Sequence, residues 1–338
     1  MVRASVIIPV LGDPRQMEDT LVSVLENRPA DCQVIVVFNQ PYDDPYELAG
    51  EVDFLGAPGG TGWAECVNRA VAHSSGEIVF IVHSAVEVEP GWYEAVRDAL
   101  NQPGVAAVVP TIRCRYEESR IISRGMAIRR SGSIVRRGEG RLLQASEATG
   151  RSVAADVLPE PLAGAYRRSA LVAAGGFCPR LGEETAVVDL GLRLLRAGLR
   201  CVHEPACRVL ARPGAAWDRR YLRRGRQHEL LFWRWAAAAR SPVSLARHVA
   251  LWLVAVAEAL TGPRHFLELC GRAIGAVEWL WRRHALRLPE ETSRPCGVSS
   301  PSPIADGDGQ PSHATLRGPH FRTARRPVAD GTPVRRAG

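Results

Sequence analysis

The chain has 338 residues, 46% of them hydrophobic and 23% charged. That length allows about two domains, and the composition excludes a disordered or fibrous chain and a small scaffold that needs staples. All 43 basic residues are Arg and the net charge is +7; residues 1–112 hold 5 Arg against 16 acids (−11), so the remainder carries +18. Such a basic second half suits an anionic partner. The eight Cys, at 32, 66, 114, 178, 201, 207, 270 and 296, form no C-x-x-C and no regular frame, which argues against a zinc module or a disulfide scaffold and for a reducing, cytoplasmic compartment.

The first half alternates apolar runs with helical patterns. Residues 4–10 (ASVIIPV) predict a strand, a run stopped too soon by Gly12, Asp13 and Pro14 to be a signal peptide. Asp13 and Pro14 suit the N-cap and first turn of a helix reaching about Asn27. Strands are predicted at 33–38, 52–55, 77–82 and 105–110, with helices at 63–73 and about 91–101. Continuous Val/Ile runs alternating with helices predict a mainly parallel sheet of βαβ units, with ligands beyond the carboxyl ends of the strands. Residues 113–160 lose this periodicity and read as a hairpin or mobile loop around 129–137. A helix beginning near Arg168 ends at Gly175-Gly176-Phe177, which is good C-cap chemistry, and 200–205 reads as a last strand. Helical stretches follow at about 217–239, 243–260 and 264–286. The final fifty residues contain 8 Pro and 6 Gly against only 6 Ile, Leu, Val and Phe, so 289–338 is expected to be disordered. There is no internal repeat.

Six segments in order carry a resemblance: SVIIPVLG (5–12), VIVVFNQ (34–40), GGTGWAECVNRA (59–70), GEIVFIVHSAVEVEPGW (76–92), GAYRRSALVAAGGF (164–177) and VVDLGLRLLRAGLRCVHEPACRV (187–209). Together they resemble the family 2 glycosyltransferases. The resemblance implies a GT-A nucleotide-diphosphosugar transferase-like α/β domain over 1–212, followed by a basic helical extension (213–288) and the tail (289–338). Carried over residue by residue, it implies donor binding at Pro9 and Val10, Phe38 and Asn39, Gly60, Gly62 and Asn68, then His83, Ser84 and Ala85, and Gly164. If active, such a protein is expected to transfer a sugar from a nucleotide-diphosphate donor to a glycan, lipid or peptide hydroxyl.

The match departs where the chemistry should be. The family's base-contacting Asp is Phe38 here, and its metal-binding D-x-D is His83-Ser84-Ala85. A manganese or magnesium ion bridging two phosphates needs hard oxygen ligands, so the cation usual in the family has lost its ligands. The family's E-D-x-D-L stretch, which supplies the catalytic base, reads Ala186-Val187-Val188-Asp189-Leu190. Asp189 is left either as a catalytic residue or as a first-turn acid favoured by the helix dipole; Glu183 and Glu184 are replacement bases. Arg113, Arg115, Arg167 and Arg168 are available to stabilise a leaving diphosphate. The alternative is a catalytically inactive pseudo-glycosyltransferase that binds a nucleotide, a glycan or a partner.

In 217–240 five Arg between 219 and 226 lie among Trp217, Tyr221, Phe232, Trp233 and Trp235. This composition suits peripheral attachment to an anionic membrane, at the inner face for a cytoplasmic protein, or else a helical cap. The run 249–260 is short of the roughly 20 residues that span a bilayer. No nucleic-acid recognition motif, G-x-G-x-x-G after the first strand or G-x-S-x-G is present, which sets aside nucleic-acid binding, a dinucleotide dehydrogenase and a serine hydrolase.

Overall fold

The computed structural model describes residues 3–129, 131–143, 157–212, 221–239 and 242–282; the expected disordered tail lies outside them, as do 217–220 and 283–286 of the predicted helices. A parallel block comes first: β1 (Ala4–Val10), α1 (Glu18–Asn27, entered through a 3-10 turn at Pro14–Met17), β2 (Cys32–Phe38), β3 (Asp53–Gly56), α2 (Trp63–His73) and β4 (Ile78–Val82). The Asp13 carboxylate accepts the Arg15 N–H at the start of the 3-10 turn, as the sequence leads one to expect. Then come β5 (Val86–Val88), α3 (Trp92–Leu100), β6 (Val105–Cys114), β7 (Glu117–Ser123) and the hairpin β8 (Met126–Ile128) and β9 (Ile134–Arg136). The chain continues through β10 (Ala163–Arg167), α4 (Arg168–Ala173), α5 (Glu183–Arg196) and β11 (Arg200–Ala211).

The main sheet runs β3-β2-β1-β4-β10-β6-β11-β5, with β7 added to β6. β1, β2, β3 and β4 are parallel, as are β6 and β11, whereas β10, β5 and β7 pair antiparallel with their neighbours. The sheet is therefore mixed, with its parallel half formed by the Val/Ile runs. Because side chains alternate across a strand, Ile7, Ile35, Val37, Val79 and Ile81 enter one core with α2 and α5, while Val6, Ile8, Val36, Phe80 and Val82 enter another with α1 and α3. Burial on both faces explains why these strands have no polar alternation.

Three helices follow: α6 (Tyr221–Ala239), α7 (Pro242–Ala259) and α8 (Pro263–Arg282). Leu230 and Leu231 of α6 and Trp279 of α8 join the same core as α2 and α5. α6 and α8 approach until their backbones nearly touch: a Cβ on Gly225 would fall on the Glu268 carbonyl, and one on Gly271 on that of Leu222. α7 is longer than the 249–260 run and is, by length and composition, enough to cross a membrane. Its one buried residue, His248, is stacked on Phe232 with ring centroids 3.5 Å apart. Its Nδ1 lies 2.7 Å from the Ser131 carbonyl oxygen of the hairpin and its Nε2 2.9 Å from Glu229 of α6.

Candidate functional site

The carboxyl ends of β1, β2 and β4 lie side by side, with Val10 paired to Phe38 and Ile7 to Ile81, and Gly164 of β10 is registered against Ile81. The expected donor positions thus gather along one edge, but their side chains are mostly committed elsewhere. Val10 and Phe38 are buried in the core. Phe38 stacks on Tyr42 with centroids 4.4 Å apart and lies 6.1 Å from Phe54, so an aromatic trio replaces the carboxylate expected to contact a base. Asn39 Nδ2 donates to the Thr61 carbonyl at 3.1 Å, which ties the end of β2 to the Gly59–Gly62 turn. Gly60 is exposed there with φ of 82°, a backbone that favours glycine.

Asn68 has a structural role: its Nδ2 donates to the Phe177 carbonyl at 2.8 Å and its Oδ1 accepts the Phe177 N–H at 2.9 Å, which joins α2 to the segment after α4. At the position of the lost D-x-D, His83 Nδ1 accepts the Ala85 N–H at 3.1 Å, and burial depresses the imidazole pKa to about 4. His83 is therefore neutral near pH 7. Ser84 is buried, Ala85 offers no ligand, and Glu87 and Glu89 are paired to Arg115 and Arg113. These residues do not fit a divalent cation, which needs several free oxygen ligands at once. Among the described residues no group of three or more His, Cys, Asp or Glu is placed to hold a metal ion.

The catalytic side departs further from expectation. α5 begins at Glu183, so Asp189 sits in the second turn, neither at a helix start nor at a surface. Its side chain is 0% exposed. Oδ1 accepts from Arg234 Nε at 2.6 Å and Trp235 Nε1 at 3.0 Å, and Oδ2 from Arg193 Nε at 3.0 Å. The carboxylate ties α5 to α6, and it is not a first-turn acid. Val187, in the stretch that stands where the family has E-D-x-D-L, is a core residue.

Glu184 has a different environment. Burial opposes its ionisation, but the His228 hydrogen bond (3.3 Å) and the charges of His228, Arg136 and Arg224 outweigh it and hold the pKa at about 2. Arg136 also binds Glu160 (3.2 Å), which accepts Ser123 Oγ at 2.6 Å and whose pKa is raised by burial. Glu160, Arg136 and His228 were not singled out from the sequence; the one available signal is a lone acid between Pro159 and Pro161 in an apolar run. Glu183, half-buried at the start of α5, shares this end of the helix.

The four arginines expected to meet a diphosphate are also engaged. Arg113 and Arg115 hold Glu89 and Asp19. Arg167 donates to the carbonyls of Leu100 and Val105, and Arg168 to Ser74 Oγ. Because β10 runs antiparallel to β4, Arg167 is registered against Ile78 at the opposite end of the strand from His83.

Residues 5–155 match the family model described as Glycosyl transferase family 2. No curated protein matches the chain. Among solved structures it is similar to GalNAc-T7 with UDP, GalNAc and Mn2+, at 17% identity and a TM-score of 0.51, over 72% of this chain and 51% of that one. The chain thus spans about half the length of that protein. It is also similar to the mannosyltransferase PcManGT from Pyrobaculum calidifontis in complex with GDP-Man and Mn2+ (20% identity, TM-score 0.48, 84% and 80% covered). A third likeness is to residues 1–349 of S. aureus TarS (13% identity, TM-score 0.43, 68% and 65% covered).

Proposed function

Since the chain is a GT-A-fold, family-2 glycosyltransferase-like protein, we propose that it is a pseudo-glycosyltransferase, a binding module that keeps the transferase scaffold without sugar transfer. The observation that carries this is the state of α5, where the resemblance puts the family's E-D-x-D-L stretch: Ala186 and Val187 are buried apolar residues, and Asp189 is locked by Arg193, Arg234 and Trp235. A general base must reach the acceptor hydroxyl; Asp189, 0% exposed and bound by three side chains, does not. The exposed Gly59–Gly62 turn beside the ends of β1 and β2 remains as the ligand edge. A nucleoside diphosphate is the first ligand to test there, because UDP is bound in the GalNAc-T7 structure. None of the seven described cysteines is in a disulfide, which suits a cytoplasmic protein.

One observation favours a second reading, in which a sugar passes from a nucleotide-diphosphate donor to a glycan, lipid or peptide hydroxyl without metal. Glu184 is ionised, one-fifth exposed and next to His228; its low proton affinity suits it to stabilising positive charge that develops on the sugar, not to the role of base. A screen of nucleotide sugars for hydrolysis and transfer, with and without manganese, tests both. The expected result is no turnover, and calorimetry showing no manganese-dependent binding of UDP or GDP. Turnover abolished by Glu184→Gln establishes the second reading, and micromolar manganese-dependent nucleotide binding overturns the account of the lost metal site.

A further inference from the structure

The aromatic cluster of 217–240 is not a membrane face in its described part: Phe232 is buried, Trp233 donates to Glu229 at 2.8 Å, and Trp235 donates to Asp189. These rings cap the transferase-like core. The exposed apolar surface lies instead on α7 and α8. Along α7, Val249, Leu253 and Val256 recur at helical spacing and are all exposed, Leu253 at 68%, and Leu260 just past the helix end is 88% exposed. On α8, Ile274, Val277 and Trp281 form a second stripe, with Trp281 at 83%. Apolar stripes of this length normally face a partner.

Two adjoining cavities show what that partner offers. An apolar groove of about 570 Å3 is lined by Ala273, Ile274 and Val277, with Arg226, Glu278 and Arg282 along its rim. Those same three residues form one wall of a polar cavity of about 330 Å3 that also contains Arg180 and Arg223. Four arginines therefore face one carboxylate, and Glu278 is itself bound by Arg226 through two contacts of 2.5 and 2.9 Å. The lining of this cavity is thus rich in guanidinium groups directly beside an apolar trough. Arginine in such clusters recognises phosphate oxygens, and a phosphate attached to a hydrocarbon chain would fill both halves.

We propose that α7 and α8 form a docking surface for an anionic bilayer, with a lipid phosphate in the cavity of Arg180, Arg223, Arg226 and Arg282 and the exposed stripes against the acyl chains. The proposal does not depend on whether the protein transfers sugar. The chain's own tail is a poor occupant: residues 289–338 have only 6 Ile, Leu, Val and Phe, and their 7 Arg against 5 acids give +2, the wrong sign for an arginine cavity. A second copy would set two such cavities of like charge together.

The test is co-sedimentation of the full chain with phosphatidylcholine vesicles, with and without phosphatidylglycerol, at low and high salt. We expect at least tenfold tighter partition to the anionic vesicles, falling with salt as screening requires. Arg223→Gln with Arg282→Gln should bring anionic binding down at least fivefold. Leu253→Glu with Trp281→Glu should abolish binding to both. All four positions are exposed, and unchanged circular dichroism confirms folding. Equal binding to neutral and anionic vesicles refutes the phosphate cavity. Absence of binding refutes the membrane surface, and a dimer in light scattering that Leu253→Glu dissociates would name a second copy as the occupant. Micromolar binding of inorganic phosphate without vesicle binding would assign the cavity to a free phosphate and overturn the lipid.

Discussion

Replacing Asp189 with Asn is the sharpest test of the difference between an anchor and a catalytic group. The side chain is 0% exposed and its partners Arg193 and Arg234 are 9% and 3% exposed. Removing the charge leaves two nearly buried guanidinium groups facing a neutral amide, one end of which presents N–H donors to donors. Breaking a buried pair in this way costs about 3–5 kcal/mol, because the remaining charge stays desolvated. Arg193 keeps the carbonyls of Ala174 and Gly176, and the coupling to Arg234 on α6 can be measured separately. A double-mutant cycle makes this explicit. Asp189→Leu combined with Arg234→Leu should cost about 2 kcal/mol less than the sum of the two single changes. Urea unfolding at pH 7, followed by tryptophan fluorescence, measures all four proteins, with Trp235 as a reporter beside the site. A loss below about 1 kcal/mol for Asp189→Asn, accompanied by altered ligand turnover or affinity, would refute the structural assignment.

Two further changes probe the scaffold. His83 is neutral in the folded state because burial lowers its pKa from 6.5 to about 4, whereas the unfolded chain takes up a proton below pH 6.5. Its stabilising contribution is therefore complete above pH 6.5 and lost as pH falls toward 4, by roughly 3 kcal/mol; urea unfolding at pH 7 and 4.5 should show this slope in the parent and not in His83→Gln, with the Glu184 contribution lost only below its unfolded value of 4.5 and down toward 2. Gly271→Ala must push α8 away from the Leu222 carbonyl, whereas a Cβ at Gly262 meets nothing; overpacking of about 1–3 kcal/mol should lower the midpoint of thermal unfolding by about 5 °C for the first and leave the second near the parent, and equal midpoints would show that the α6–α8 contact is looser than described.

What could be read from the sequence was what local pattern specifies. β1, β2 and β4 are continuous Val/Ile runs because both faces are covered, and α2 is found at the predicted 63–73 because the glycine turn and Ser74 bound it on either side. β7 escaped for the opposite reason: its first four residues, Glu117, Glu118, Ser119 and Arg120, are exposed, and so charged a stretch has no apolar alternation to show. β5, three residues in Val86–Val88, is too short to carry a period at all. The hairpin around 129–137 was legible through its glycine and arginine content, though what lies against it, Phe232 and His248, was not.

The site was harder to read because its polar groups take their meaning from distant partners. Asn68 meets Phe177 across 109 positions, and Asp189 meets Arg234 across 45. No spacing rule links such pairs; only the topology brings them together. Arg167 and Arg168 illustrate the same point through direction. Next to a glycine-rich stretch they look suited to phosphate, but a single antiparallel strand carries them to the far end of the sheet. The helical extension has the largest effect of this kind. α6 supplies Arg234 and Trp235 to Asp189, His228 to Glu184, and Gln227 to the Gly182 N–H at 2.9 Å. Each contact spends a polar group at the start or middle of α5, the helix on which the family's base resides. With Val187 and Asp189 facing inward under this helical cover, a carboxylate placed at 187 would bury a charge in the core, unless α6 were displaced as well.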